Sequence, residues 1–296
     1  MKIISIFFLI VFCYTATAQE RLIKVNGNNY HVLQKGFENR KSGTPAIIFE
    51  NGIGSDLHDW NKVTDQISAF APVLFYDRAG SGSSDKLFKM PTVASVNQNL
   101  HAMLAELKIP PPYILVGHSF GGVYIRGFAG RYPNEIAGLV FVDPADFTET
   151  KNDWNNIFRT LGLPEKKIDE MLVARLYKPS KIDSANYGPW SEIEVLNELR
   201  RNDFAELSAL PMPKVPIYFF VGGKFEVPPE RRSKEFDQEK FFHVKNNSNM
   251  ERWKKLIYAS GKPGALIYLT QAGHYIQRDA PESVISNIRV LFEGVQ

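Results

Sequence analysis

The chain has 296 residues, 44% of them hydrophobic, which is enough apolar surface for one large core. Its formal charge is +3 and its lysines and arginines are scattered, so no basic stripe speaks for nucleic acid or an anionic membrane as a partner; a small-molecule substrate fits better. The single cysteine, Cys13, lies in an N-terminal leader, so a processed chain has no thiol for a disulfide, a Cys-ligated metal or a cysteine nucleophile.

That leader is Met1-Lys2, the apolar run from Ile3 to Tyr14, and Ala16-Thr17-Ala18. Charge, h-region and small residues in that order predict a signal peptide over residues 1–18, cleaved after Ala18, and therefore a secreted or periplasmic protein. The run is shorter than the ~20 residues a spanning helix needs, so stable membrane insertion is not expected. Next, Leu22–Val25 and Tyr30–Leu33 flank Gly27-Asn28-Asn29 and predict a β-hairpin. Short apolar runs at Ala46–Phe49, Val73–Tyr76, Tyr113–Val116, Leu139–Val142, Ile217–Val221 and Ala265–Leu269 have the length and composition of buried strands. Amphipathic stretches separate them, among them Pro91–Leu107 and Pro281–Phe292, and this alternation predicts an α/β chain with a mainly parallel, doubly wound sheet. Residues 145–213 break the rhythm, with Trp154, Phe158, Met171, Leu172 and Trp190 spread over helical segments. About seventy residues without a strand are too many for an ordinary loop, so a helical lid is expected between core segments 19–144 and 214–296.

The sharpest chemical signal is Tyr113 to Gly122, an apolar strand running into Gly117-His118-Ser119-Phe120-Gly121 and then a helix. In a nucleophile elbow the serine sits on a strained turn, and small residues two before and two after it let strand and helix approach; Gly117 and Gly121 meet that need. The helix N-terminus then favours negative charge developing beside Ser119. His118, the neighbour on a sharp turn, is read as structural.

A serine hydroxyl needs a histidine to take its proton and a carboxylate to orient that histidine. His274 lies in a loop directly after the strand Ala265–Leu269, where this architecture places chemistry, whereas His243 sits in a polar Lys- and Asn-rich stretch. For the acid, Glu226 in the loop after Ile217–Val221 is preferred and Asp143, at the end of Leu139–Val142, is the alternative. Oxyanion stabilisation calls for two backbone amides, expected from Phe120 and from Ile53 in the glycine-bearing loop 50–55.

Asn51-Gly52-Ile53-Gly54, Asp77-Arg78-Ala79-Gly80-Ser81-Gly82, Val116 to Gly122, Val142-Asp143-Pro144 and Gly273-His274-Tyr275-Ile276 together resemble the α/β-hydrolase superfamily, in its branch with a helical cap after the sixth core strand. The resemblance implies an eight-stranded sheet and a serine hydrolase of the carboxylesterase kind working without a cofactor through an acyl-enzyme. Peptidases, lactonases, thioesterases, perhydrolases and hydroxynitrile lyases share that triad, so the substrate stays open, as does a non-catalytic ligand-binding protein. Glu50-Asn51 departs from the His common before the oxyanion glycine, and Glu226 from the usual Asp. Gly80-Ser81-Gly82 lacks the third glycine of a dinucleotide fingerprint, and no metal-ligand spacing is present.

Overall fold

The computed structural model describes residues 19–296 apart from 39 and 178–180, so the expected leader over residues 1–18 lies outside the described residues. Strands β1 (Gln19–Val25) and β2 (Asn28–Lys35) form the N-terminal hairpin. Its turn is Asn26-Gly27, both at positive φ, which matches the twist of the flanking strands. Asn28 and Asn29 belong to the ladder, so the turn sits earlier than the sequence pattern suggests.

The remaining strands are β3 (Ala46–Glu50), β4 (Val73–Tyr76), β5 (Tyr113–His118), β6 (Ile136–Val142), β7 (Ile217–Gly222) and β8 (Gly264–Leu269). They complete an eight-stranded sheet of order β1-β2-β4-β3-β5-β6-β7-β8, parallel from β4 to β8. The helices are α1 (Asn61–Ser68), α2 (Val93–Glu106), α3 (Phe120–Arg131), α4 (Lys151–Thr160), α5 (Glu165–Leu176), α6 (Tyr187–Arg201), α7 (Ala205–Ser208), α8 (Gln238–Ser260), α9 (Ile276–Asp279) and α10 (Pro281–Glu293).

Continuous apolar strands are buried on both faces because helices cover both. Ile48, Leu115, Leu139 and Phe219 point to one core, shared with Val93 of α2, Val123 of α3 and Trp253 of α8. Their neighbours Ile47, Ile114, Val116, Val140 and Phe220 point to the other, closed by Val63 and Ile67 of α1 and Ile288 of α10. β8 is an edge strand and is largely half-exposed, unlike the buried strand its composition suggests.

Between β6 and β7 the described chain is helical, α4 to α7. Thr150 and Asp153 cap α4 reciprocally, and Trp154 and Phe158 of α4 stack on Phe241 of α8 at 5.9 and 5.3 Å between ring centres. The start of α6 lies against the core loops: a Cβ on Gly80 would stand 3.1 Å from Gly188, and one on Gly54 3.2 Å from Pro189. α8 runs through the Lys- and Asn-rich stretch that carries no clear periodicity in the sequence, and His243 is exposed on it.

Candidate active site

Ser119 stands where β5 turns into α3, at φ 52° and ψ −120°, a conformation side-chain-bearing residues rarely adopt. The turn is tight enough to demand its glycines. A Cβ on Gly117 would lie 2.6 Å from the Gly121 carbonyl oxygen, and one on Gly121 would lie 2.4 Å from that of Glu50. The strained backbone is held by bonds to the neighbouring strand: the Ser119 amide donates to Val142 (3.1 Å), and its carbonyl accepts from Ala145 (2.9 Å).

His274, in the loop after β8, has Nε2 3.0 Å from Ser119 Oγ and Nδ1 2.6 Å from Asp143 Oδ2. Asp143 follows the last residue of β6 at φ 41°, and its other oxygen accepts from the Gly222 amide at 2.9 Å. An Nδ1–H donated to Asp143 leaves Nε2 as the acceptor for the Ser119 hydroxyl. The Gly273 amide, bonded to Asp279 at 2.8 Å, anchors the loop behind the histidine.

The preference for Glu226 as the partner of His274 is corrected here. Beyond β7, Gly223 and Lys224 donate to the carbonyls of Leu269 and Ala272, which carries the loop over the outside of the β8 end. Glu226 therefore packs behind Gly273, where it would collide with any Cβ, and pairs with Lys224 at 3.0 Å. Asp143 is nearer because β6 is the direct neighbour of β5, and its own left-handed backbone swings the carboxylate across the strand end.

His118 is buried beside His274, with ring centres 4.8 Å apart, and its Nε2 donates to the His274 carbonyl at 2.9 Å. Its Nδ1 has no partner among the described residues, as suits a neutral ring. Burial, reinforced by His274, pulls the imidazole from 6.5 down to about 3. The unfolded chain takes up this proton between those values and the folded chain does not, so the stabilisation is complete above about pH 6.5 and is lost as pH falls toward 3. His118→Gln keeps an N–H donor without a titrating group. Between pH 7.5 and pH 4.5 the wild type is expected to lose about 2 to 3 kcal/mol more than this variant, from ~1.4 kcal/mol per unit. Urea unfolding at the two pH values measures it; equal losses would contradict a neutral buried His118.

The amide of Phe120 is the first of α3 and has no acceptor within the helix. Gly52 abuts Ser119, since a Cβ there would stand 3.3 Å from the serine Cβ, and Ile53 follows in the same turn. This loop is tied down by Arg78, which donates to the carbonyls of Asn51 (2.7 Å) and Gly52 (2.8 Å) and to Glu50 (2.6 Å). Two further bonds, of 2.6 and 2.9 Å, join the same guanidinium to Glu192 of α6. All three side chains are buried, and Glu50 also accepts from Tyr76. In the sequence Asp77-Arg78 shows only as part of a turn, and the network is not legible there because its partner Glu192 lies 114 residues further on. Among the described residues no group of three or more His, Cys, Asp or Glu side chains is arranged to hold a metal ion.

A family model described as the alpha/beta hydrolase fold matches residues 45–162, from β3 through the elbow into α4. The chain has the α/β-hydrolase fold. Among curated relatives, the protein YqjL of Bacillus subtilis is 30% identical over 126 residues, 43% of this chain and 48% of that one. Lipase LipV of Mycobacterium tuberculosis is 24% identical over 159 residues, covering 52% and 54%. The matches thus span about half of these relatives' own length. Solved structures align over nearly the whole chain at low identity. A thermophilic esterase from Thermogutta terrifontis gives a TM-score of 0.59 at 20% identity, covering 94% of this chain and 99% of that one. Carboxylesterase CesB from Bacillus subtilis gives 0.57 at 16%, covering 95% and 93%. These likenesses show the fold. Among the described residues no helix is long and apolar enough to cross a membrane.

Proposed function

We propose that this α/β-hydrolase is an exported serine hydrolase that cleaves a small carboxylic ester or related acyl substrate through an acyl-enzyme, without a cofactor, after loss of residues 1–18. The observation that carries this reading is the unbroken hydrogen-bonded run from Asp143 through His274 to Ser119 at a strained strand-to-helix turn. Ester-cleaving neighbours of the same fold lend it support.

In the proposed reaction Ser119 Oγ attacks the substrate carbonyl carbon while His274 Nε2 takes the hydroxyl proton, and Asp143 stabilises the imidazolium. Negative charge builds on the carbonyl oxygen, where the amides of Phe120 and Ile53 and the positive end of α3 receive it. As the tetrahedral intermediate collapses, His274 returns the proton to the leaving alkoxide. Water deprotonated by His274 then cleaves the acyl-enzyme. The His274 side chain is 46% exposed, so both substrate and water reach it.

The test is labelling of purified mature protein with a fluorescent fluorophosphonate, beside an ester panel of rising acyl length. Wild type is expected to label and to turn over esters. Ser119→Ala and His274→Ala should label no more, with turnover down by about 10⁴-fold or more. An unlabelled, inactive wild type would leave a ligand-binding protein as the better reading.

A further inference from the structure

One concave surface is lined by none of Ser119, Asp143 and His274. It is an open pocket of about 590 Å³ lined by α4, α5, the loop after β7 and α8. Five phenylalanines line it, Phe158, Phe225, Phe236, Phe241 and Phe242, and all but Phe158 are only half-buried. Apolar surface left wet inside a concavity gains free energy from an occupant.

The charge of the wall is one-sided. Arg175 and Lys245 are the charged residues of the lining, and no carboxylate is among them. Behind them lies one buried acid, Glu149, which Arg200 holds at 2.9 Å and from which Lys245 Nζ stands 3.6 Å away. Arg175 has no hydrogen bond and no carboxylate at ion-pair distance among the described residues. These cations instead gather on one indole: Arg175, Lys245 and Arg200 lie 4.5, 5.2 and 5.9 Å from the Trp154 ring centre. Three cations against one carboxylate leave two positive charges uncompensated beside an aromatic cavity.

We infer that this pocket binds a small amphiphilic anion, its aryl or alkyl body seated among the phenylalanines and a single carboxylate paired with Arg175 and Lys245. Such a ligand supplies what the wall lacks, apolar area for the rings and one negative charge for the cations. A neutral molecule of the same shape satisfies only the first, and a more polar anion only the second. The inference does not depend on chemistry at Ser119.

The experiment is isothermal titration of the full mature protein with 4-phenylbutyrate and, separately, with 4-phenyl-1-butanol, at low and high salt. The carboxylate is expected to bind at least tenfold more tightly than the alcohol, with the difference shrinking as salt rises. Arg175→Gln and Lys245→Gln should each weaken carboxylate binding about tenfold and leave the alcohol unchanged. Arg175 is exposed and glutamine is a good helix former, so folding survives, as matched thermal unfolding will show. Met171→Trp, which narrows the pocket with both cations intact, should weaken binding of both compounds together. Equal affinity for acid and alcohol, full binding by Arg175→Gln, or no heat with millimolar phenylbutyrate would overturn the inference.

Discussion

Asp143→Asn is expected to lower kcat by about 10³ to 10⁴-fold with little change in KM, whereas Glu226→Gln leaves both within about twofold. The two carboxylates stand close to the histidine loop, but only Asp143 accepts from His274 Nδ1. An amide at 143 turns a hydrogen-bond donor toward that nitrogen. The ring then takes the tautomer whose Nε2 carries the proton and no longer accepts from Ser119. Among the described residues Glu226 pairs only with Lys224, both about half exposed, and such a surface pair contributes little. Steady-state ester hydrolysis with the rate of fluorophosphonate labelling measures both effects. A large loss in Glu226→Gln with an active Asp143→Asn would reverse the assignment.

Arg78→Met is expected to destabilise the protein by about 3 to 5 kcal/mol, because it strands two buried carboxylates. Burial opposes the charge on Arg78, yet Glu192 and Glu50 outweigh it and hold the guanidinium ionised. Burial likewise pushes the Glu50 carboxyl up against the pull of Arg78. With the guanidinium gone, the bond from Tyr76 offsets only part of that desolvation. Glu192→Gln is milder, since Arg78 keeps Glu50 and the two loop carbonyls, and adding Glu192→Met to Arg78→Met should recover part of the loss. Arg78 also fixes the loop that holds Gly52 against Ser119 and carries Ile53, the proposed oxyanion donor, so kcat should fall in Arg78→Met beyond any change in the folded fraction. Urea unfolding and kcat at a temperature where each variant is folded separate the two. Stability within about 1 kcal/mol of wild type would show that the buried cluster contributes little net.

Local patterns in the sequence were sufficient for the strands, most of their alternation with helices and the elbow, but not for α8. Val116 to Gly122 announces a tight turn because the steric demand on Gly117 and Gly121 arises within a few residues of Ser119. The loop carrying His274 was legible for a related reason, an apolar strand ending in a polar turn. The α/β class and the strand-free stretch between β6 and β7 follow from periodicity alone, since whether a face is apolar depends on near neighbours.

Only the tertiary structure decided which acid meets His274 and what braces the loop around Ile53. Asp143 and Glu226 both follow parallel strands, and choosing between them depends on sheet order, on the φ of 41° at Asp143, and on the path Gly223 and Lys224 impose. The Arg78–Glu192 contact joins a core loop to α6, and no periodicity links residues so far apart in the chain. Secondary structure responds to short-range sterics and burial pattern, which the sequence carries locally. Side-chain partnership responds to where strand ends and inserted helices come to rest in space, and that is settled only when the whole chain packs.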